Sequence, residues 1–294
     1  MRFSILNYRL IAFSTMVAIV LAFSACTKEE IIDGNQPPPD STINNVTKET
    51  YINRLYISIL GRECTPTEFN EAYDILAQGN LSVQSRGQVI DLITAKPGYY
   101  NRLFRIAEEN YLNSSDSLDY QTQIFAYNII LSNQSQSAFW PYVNYELARI
   151  NAWMDAVDDM QSGSITVMEM HKRAVQNFAY DGINMGSLNF VASLFQNFFY
   201  RYPTEAELDA GILCVDGFPA TVFFQIADSK EEYVDLFFAS DNYYEGQVRD
   251  LFTRYLFREP TSAEQTYFGE RYKSNLNYKQ LQKDILSLDE YVGI

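Results

Sequence analysis

Three stretches of this chain share one spacing, and the spacing dictates where helices end and begin. They are Arg62-Glu63-Cys64-Thr65-Pro66-Thr67-Glu68, Arg201-Tyr202-Pro203-Thr204-Glu205-Ala206-Glu207 and Arg258-Glu259-Pro260-Thr261-Ser262-Ala263-Glu264. In each, a Thr follows the Arg by three residues and a Glu follows the Thr by three. Thr-x-x-Glu is a capping box: the Thr hydroxyl accepts from the N–H three residues on, and the Glu reaches back to the N–H of the Thr. Thr65 with Glu68, Thr204 with Glu207 and Thr261 with Glu264 are therefore expected to be structural caps. Pro66 fits the first helical position, where a missing N–H costs nothing. Pro203 and Pro260 stand just before the cap, where a proline stops the preceding helix.

The helix before each Arg carries the same apolar stripe. Counting back, the positions are Leu60, Ile59, Tyr56, Leu55 and Ile52, then Phe199, Phe198, Phe195, Leu194 and Val191, then Leu256, Tyr255, Phe252, Leu251 and Val248. These are the i, i+3, i+4, i+7 offsets of an amphipathic helix. A third marker follows each capped helix. Tyr99-Tyr100, Tyr243-Tyr244 and Tyr291 close apolar segments containing Val89, Ile90 and Ile93, Val234, Phe237 and Phe238, and Leu281, Ile285 and Leu286. The unit reads as three helices and a Tyr over about 50–60 residues, a length typical of helical repeats that bury their apolar faces on one another. The expected fold is all-α: tandem helical repeat units in three copies, with an inserted helical segment.

The string from Tyr51 to Glu63, with Leu60-Gly61-Arg62-Glu63 at its end, then Gly79-Asn80-Leu81-Ser82 and Pro97-Gly98-Tyr99-Tyr100, resembles the helical unit of phycobilisome linkers. It is similar also to a bacterial domain of unknown function found in surface and secreted proteins, and to cytochrome-associated domains of planctomycete-type proteins. The first copy carries most of the pattern, with Cys64 in a proline position. The second and third lose the Gly of Leu-Gly-Arg. The resemblance covers about half the chain and consists of helix punctuation, so it implies a fold and an interaction role rather than catalysis.

Taken in order, residues 1–25 read as a leader, with Arg2 and Arg9 ahead of an apolar run from Leu10 to Phe23. Phe23-Ser24-Ala25-Cys26 resembles the lipobox of bacterial lipoproteins, which implies lipidation at Cys26. Thr27-Lys28-Glu29-Glu30 resembles the surface-export signal of Bacteroidota lipoproteins, which implies display at the outer membrane. Residues 26–47, with Pro37-Pro38-Pro39, read as a stiff, polar tether. Residues 48–113 form the first repeat, with its third helix continuing from Tyr99 to Tyr111. Residues 114–185 form the insert, in which Trp140-Pro141 begins a helix, Gly163-Ser164 breaks it, Thr166 and Glu169 make a fourth capping box, and Asp181-Gly182 ends the last helix. Residues 186–244 and 245–294 hold the second and third repeats, with a helix running on past Tyr244.

Charge excludes one class of partner. The net charge is −15, and loss of the leader leaves 20 basic against 37 acidic residues, or −17. Such a chain is a poor ligand for nucleic acid and is repelled by anionic membrane surfaces, so membrane contact falls to the N-terminal lipid.

Candidate chemistry is sparse. His171 is the only histidine, and with Met168 it could ligate haem iron or copper, although two side chains one helical turn apart are more often packing. One histidine excludes Ser-His-Asp and Cys-His catalysis within the chain. Asp155, Asp158 and Asp159 gather on the C-terminal half of a helix, and Asp228, Glu231, Glu232, Asp235 and Asp241 read as a solvated face without the order of a calcium loop. Cys64 and Cys214 either pair across repeats or stay as semi-buried thiols. Arg62, Arg201 and Arg258 could bind a polymeric anion, but an Arg in a last helical turn complements the helix dipole and can pair with the capping Glu. Tyr and Trp rings, among them Trp140 and Trp153, could stack on sugars, although most occupy the apolar stripes. No catalytic residue, metal or cofactor is expected. The expected function is a non-enzymatic cell-envelope lipoprotein acting as a scaffold or protein-interaction module at the outer membrane. The competing readings are a surface glycan-binding lipoprotein of a nutrient-acquisition system and an accessory subunit of an envelope redox complex.

Overall fold

Capping side chains and apolar stripes set the element boundaries. The structure, a computed structural model, describes residues 41–294, and the leader, the Cys26 lipidation site and most of the tether lie outside the described residues. Among the described residues there are sixteen α-helices and one two-stranded sheet, so the fold is all-α. The first group is α1 (Ser41–Leu60), α2 (Pro66–Gln78), α3 (Val83–Thr94) and α4 (Gly98–Tyr111). Then come α5 (Ser117–Ser132), a 3₁₀ helix (Gln134–Phe139), α6 (Trp140–Met154), α7 (Ala156–Ser162), α8 (Val167–Val175) and α9 (Phe178–Ile183). The last group is α10 (Ser187–Leu194) with a π turn at Phe195–Phe199, α11 (Glu205–Val215), β1 (Ala220–Val222), β2 (Gln225–Ala227), α12 (Lys230–Ala239), α13 (Asp241–Leu256), α14 (Ser262–Asn275), α15 (Tyr278–Leu286) and α16 (Asp289–Val292).

From Asn44 onward these elements pack as one compact unit. Helix α13 lies at its centre, against α14, α15, α16, α12 and the π turn. The stripe residues are its core: Ile52, Leu55 and Tyr56, Val191, Leu194 and Phe198, and Val248, Leu251 and Phe252 are all fully buried. Burying each such side chain contributes about 1.5–3 kcal/mol. The densest contact is aromatic, with Phe199 stacked on Phe237 at a centroid distance of 3.9 Å and Phe198 edge-on to Phe238 at 5.0 Å.

Several expected boundaries move. The tether does not extend to residue 47, because α1 already begins at Ser41. Helix α4 is not a continuation of α3; Lys96-Pro97 interrupts the chain, and Tyr99 opens a new helix. The junction at residues 244 and 245 falls inside α13, which starts at Asp241 after a break at Ser240. Asp181 and Gly182 lie within α9 rather than ending a longer helix, because Asn177 accepts from Ala179 and Tyr180 N–H and starts a fresh turn. Asp158 and Asp159 belong to the first turn of α7, where the helix dipole favours them, because the chain breaks after Met154. Thr166 caps α8 by accepting from Glu169 N–H at 3.2 Å, but the reciprocal bond of a capping box is not made.

Candidate functional site

The three predicted caps form with one geometry. Thr65, Thr204 and Thr261 each accept from the Glu N–H at 3.3 Å, and Glu68, Glu207 and Glu264 each accept from the Thr N–H at 2.9, 2.8 and 2.7 Å. The Arg completes the corner. Both guanidinium ends donate to the two oxygens of that Glu, at 2.8 and 2.8 Å from Arg62, 2.8 and 2.6 Å from Arg201, and 2.9 and 2.7 Å from Arg258. Nη1 of each also donates to the backbone carbonyl of the next residue, Glu63, Tyr202 or Glu259. The Arg thereby holds the Glu68 carboxyl well below the usual range and those of Glu207 and Glu264 down to about 2. These guanidinium groups are neutralised within their own corner, which removes them as a site for a polymeric anion.

Two further features recur in step. The residue before each Arg is left-handed, Gly61 at φ +70°, Tyr200 at +55° and Phe257 at +56°. The ring six residues before each Arg lies under its guanidinium: Tyr56 at 5.8 Å, Phe195 at 4.9 Å and Phe252 at 5.0 Å. The corner is thus an Arg clamped between an aromatic ring and a capping carboxylate, after a left-handed turn that Gly adopts without cost and Tyr or Phe does not.

The marker tyrosines also superpose in role. Tyr99, Tyr243 and Tyr291 are buried, and the N–H of each donates to the carbonyl three residues back, on Lys96, Ser240 and Leu288. Their hydroxyls reach out of their own segments. Tyr99 donates to Gln282 Oε1 at 2.6 Å, Tyr243 meets His171 Nδ1 at 2.9 Å, and Tyr291 meets Ser58 Oγ at 2.9 Å. Tyr51, Arg54 and Arg86 of the N-terminal group add bonds to Leu286 O, Tyr291 O and Asp289, so the two ends of the unit close on each other.

His171 is therefore a packing residue by geometry. It is buried among Tyr111, Phe198 and Tyr243, and burial pushes its pKa down to about 3. Met168 Sδ accepts from Tyr244 Oη at 3.5 Å. The two sit against adjacent tyrosines, and among the described residues no group of three or more His, Cys, Asp or Glu converges on a metal position. Cys64 and Cys214 are free thiols, the former donating to Asn53 and the latter buried against the Ala227 carbonyl at 3.3 Å. Asp159 pairs with Arg173 at 2.6 Å, Asp235 with Lys172 at 2.6 Å and Asp241 with Lys273 at 2.6 Å. Asp228, Glu231, Glu232, Asp235 and Asp241 are all exposed, as a solvated face requires.

Two of the concave features among the described residues border a corner. A cavity of about 600 Å³ lies where α3 meets α14, α15 and α16. Its walls carry Arg258, Glu264, Arg271, Asp284 and Glu290, with the half-exposed ring of Tyr267 among them. Arg258 chelates Glu290 as well as Glu264, and Arg271 holds Asp284 at 3.1 Å, so these acids face cations rather than free space. A smaller cavity of about 360 Å³ lies between α11 and the β-hairpin, lined by Phe195, Ala206, Glu207, Ala210, Val222, Phe223 and Phe224. The hairpin went unread in the sequence. Its turn residues Phe223 and Phe224 both have positive φ, at +49° and +65°, and Phe224 is wholly exposed while Phe223 packs on Phe195, Phe199 and Phe237.

Comparison of the chain with protein-family models, with curated proteins and with solved structures finds no match to any of them.

Proposed function

We propose that this chain is a non-enzymatic, lipid-anchored envelope protein that serves as a scaffold or protein-interaction module at the outer membrane. The observation that carries the reading is the hairpin beside α11. It presents Phe224 and Ile226 at 102 % and 74 % exposure, with Phe218 just before β1 at 58 %, on a strongly acidic chain. Apolar groups kept in water on an otherwise charged surface mark contact sites. The lipobox-like Phe23-Ser24-Ala25-Cys26 supplies the anchor, and the Pro-rich stretch behind it supplies the reach. Two measurements test the reading. Cys26→Ser should move the protein from the membrane fraction to the soluble fraction; retention defeats the anchor. Chemical cross-linking on intact envelopes should give one reproducible protein partner; its absence defeats the module.

A second reading, a surface glycan binder, is favoured by the larger cavity. The exposed Tyr267 ring stands beside Arg271, Asp284 and Glu290, a combination that can stack on a sugar face and bond its hydroxyls. Calorimetric titration with envelope and dietary oligosaccharides, against Tyr267→Ala, separates it from the first.

A further inference from the structure

We infer that the groove between α11 and β1 receives an extended peptide segment of a partner protein, apolar at its centre and basic beside it, which pairs with β1 as a third strand. This inference rests on the interaction-module reading and names the chemistry of the partner.

The backbone of β1 is the first reason. In the register Ala220 with Ala227, Thr221 with Ile226 and Val222 with Gln225, the two-residue turn makes Val222 and Gln225 the closing hydrogen-bonded pair. Alternation then points the N–H and C=O of Thr221 away from β2. Thr221 is exposed, and among the described residues no backbone bond from outside the hairpin ladder reaches it. The unpaired edge faces the groove, because Thr221 and Val222 both line the cavity.

The opposite wall is the second reason. Ala206 and Ala210 stand one turn apart on α11 and also line it. Two small residues facing a free strand edge leave a slot, and the rings of Phe195, Phe223 and Tyr233 make its floor apolar. A strand edge opposite a helix is one of the ways folded proteins take up extended peptides: main-chain bonds hold the segment, and alternate side chains enter the slot.

Charge is the third reason. Helix α11 carries Glu205, Glu207 and Asp209 and no basic residue. Arg201 neutralises Glu207, whereas Glu205 and Asp209 are exposed and form no ion pair among the described residues. Asp209 lies one turn from Ala206 on the helix surface, so a Lys or Arg of the incoming segment meets it at the rim.

The hairpin is also an addition to the corner design rather than a part of it. The equivalent connection is Gly79–Ser82 between α2 and α3, and Leu276-Asn277 between α14 and α15. Neither has strands, and both corners are complete without them.

The test is selection of a random peptide library on phage against the full chain in detergent micelles, with fluorescence anisotropy on the recovered peptides. The expected result is enrichment of peptides with an apolar residue next to Lys or Arg. Thr221→Pro removes the outward N–H at an edge position that tolerates proline, and should weaken binding about tenfold. Ala210→Trp fills the slot and should abolish binding, while Asp209→Lys should disfavour the basic peptides. Unchanged circular dichroism of each variant shows that folding is intact, and the three variants act through different atoms. Peptides that bind Thr221→Pro and Ala210→Trp as well as the parent overturn the inference. So does a library that yields no apolar–basic peptide, including the case in which only oligosaccharides bind. If wild type and Thr221→Pro cross-link the same envelope partner equally, the groove assignment falls and the module reading stands. If neither peptide nor partner appears, both fall.

Discussion

Gly246 offers the sharpest test of the packing at the centre of the unit. It lies in α13 where the π turn crosses, and a Cβ built there would stand 1.8 Å from the Phe198 carbonyl oxygen and 2.9 Å from its carbonyl carbon. A carbon and a carbonyl oxygen in contact need about 3.3 Å, so the two elements must part by about 1.5 Å. The atoms struck are backbone, and no rotamer change relieves the clash. Phe198 and Phe199 would be dragged with them, and Phe199 is stacked flat on Phe237. Overpacking at so stiff a site costs about 3–4 kcal/mol. The better helix propensity of alanine returns about 1 kcal/mol. Gly246→Ala should therefore lose about 2–3 kcal/mol, seen in calorimetry as a melting temperature lower by about 5–10 °C for a domain of this size. Gly182 is the internal control, since it is helical and a Cβ there meets nothing within 4 Å. Gly182→Ala should be neutral or gain up to about 1 kcal/mol. A Gly246→Ala protein that melts with or above the parent would refute the reasoning, because it would mean that α13 and the π turn do not touch.

The corners make their own predictions. Arg258→Ala releases two carboxylates, Glu264 and Glu290, where Arg62→Ala releases Glu68, which Lys96 still holds at 3.2 Å. Urea titration should thus show a loss of about 2 kcal/mol for the former and about 1 kcal/mol or less for the latter, and equal losses would be evidence against the clamp. The carboxyls of Glu207 and Glu264 are held down to about 2 from an ordinary 4.5, so their stabilisation is present above about pH 4.5 and disappears as pH falls toward 2. Arg258→Ala should flatten that acid limb in a melting series across this range, and an unchanged limb would count against it. Phe257 is left-handed and largely exposed, so Phe257→Gly should relieve strain and raise stability by about 0.5–1 kcal/mol; a fall in melting temperature would contradict that. Thr261→Ala should cost about 1 kcal/mol through its lost cap, again read by melting.

What could be read from the sequence follows from the range of the interactions. Each corner closes within thirteen residues, from Tyr56 to Glu68, for example, and every partner needed for it is in that string. The apolar stripes are periodic and equally local, so the all-α fold and its core were legible. The left-handed turn was legible only at Gly61. Tyr200 and Phe257 occupy the same backbone state because the clamp on either side imposes it, and their residue types advertise nothing. The closure of the two ends was invisible, because Arg86 and Asp289 are separated by 203 residues and a single Arg on an apolar helix face gives no clue to its partner. The true start of α13 was missed for a related reason: Ser240 ends one helix and opens the next without a Gly or Pro, and the join is marked by local bonds, from the Ser240 N–H and hydroxyl to the Phe237 carbonyl and from the Tyr243 N–H to Ser240.

The hairpin is the instructive omission, since the proposed function depends on it. Its strands are three residues each, too short for an alternating pattern to stand out, and its turn is Phe223-Phe224 where Asn-Gly would have announced it. The only local signals were Gly217 and Pro219, which break α11 and bar its continuation. A turn that accepts two left-handed phenylalanines must be held from outside. Phe223 is held by the Phe195, Phe199 and Phe237 cluster, which is itself the aromatic half of the second corner. The corner that was easiest to read therefore supports the element that was hardest to read. It follows that loosening the second corner should loosen the hairpin first: in Arg201→Ala, hydrogen exchange at Ala220 and Ala227 should quicken before exchange in α13. Exchange that quickens in both together, or in α13 alone, would show that the hairpin is held by something other than this aromatic cluster.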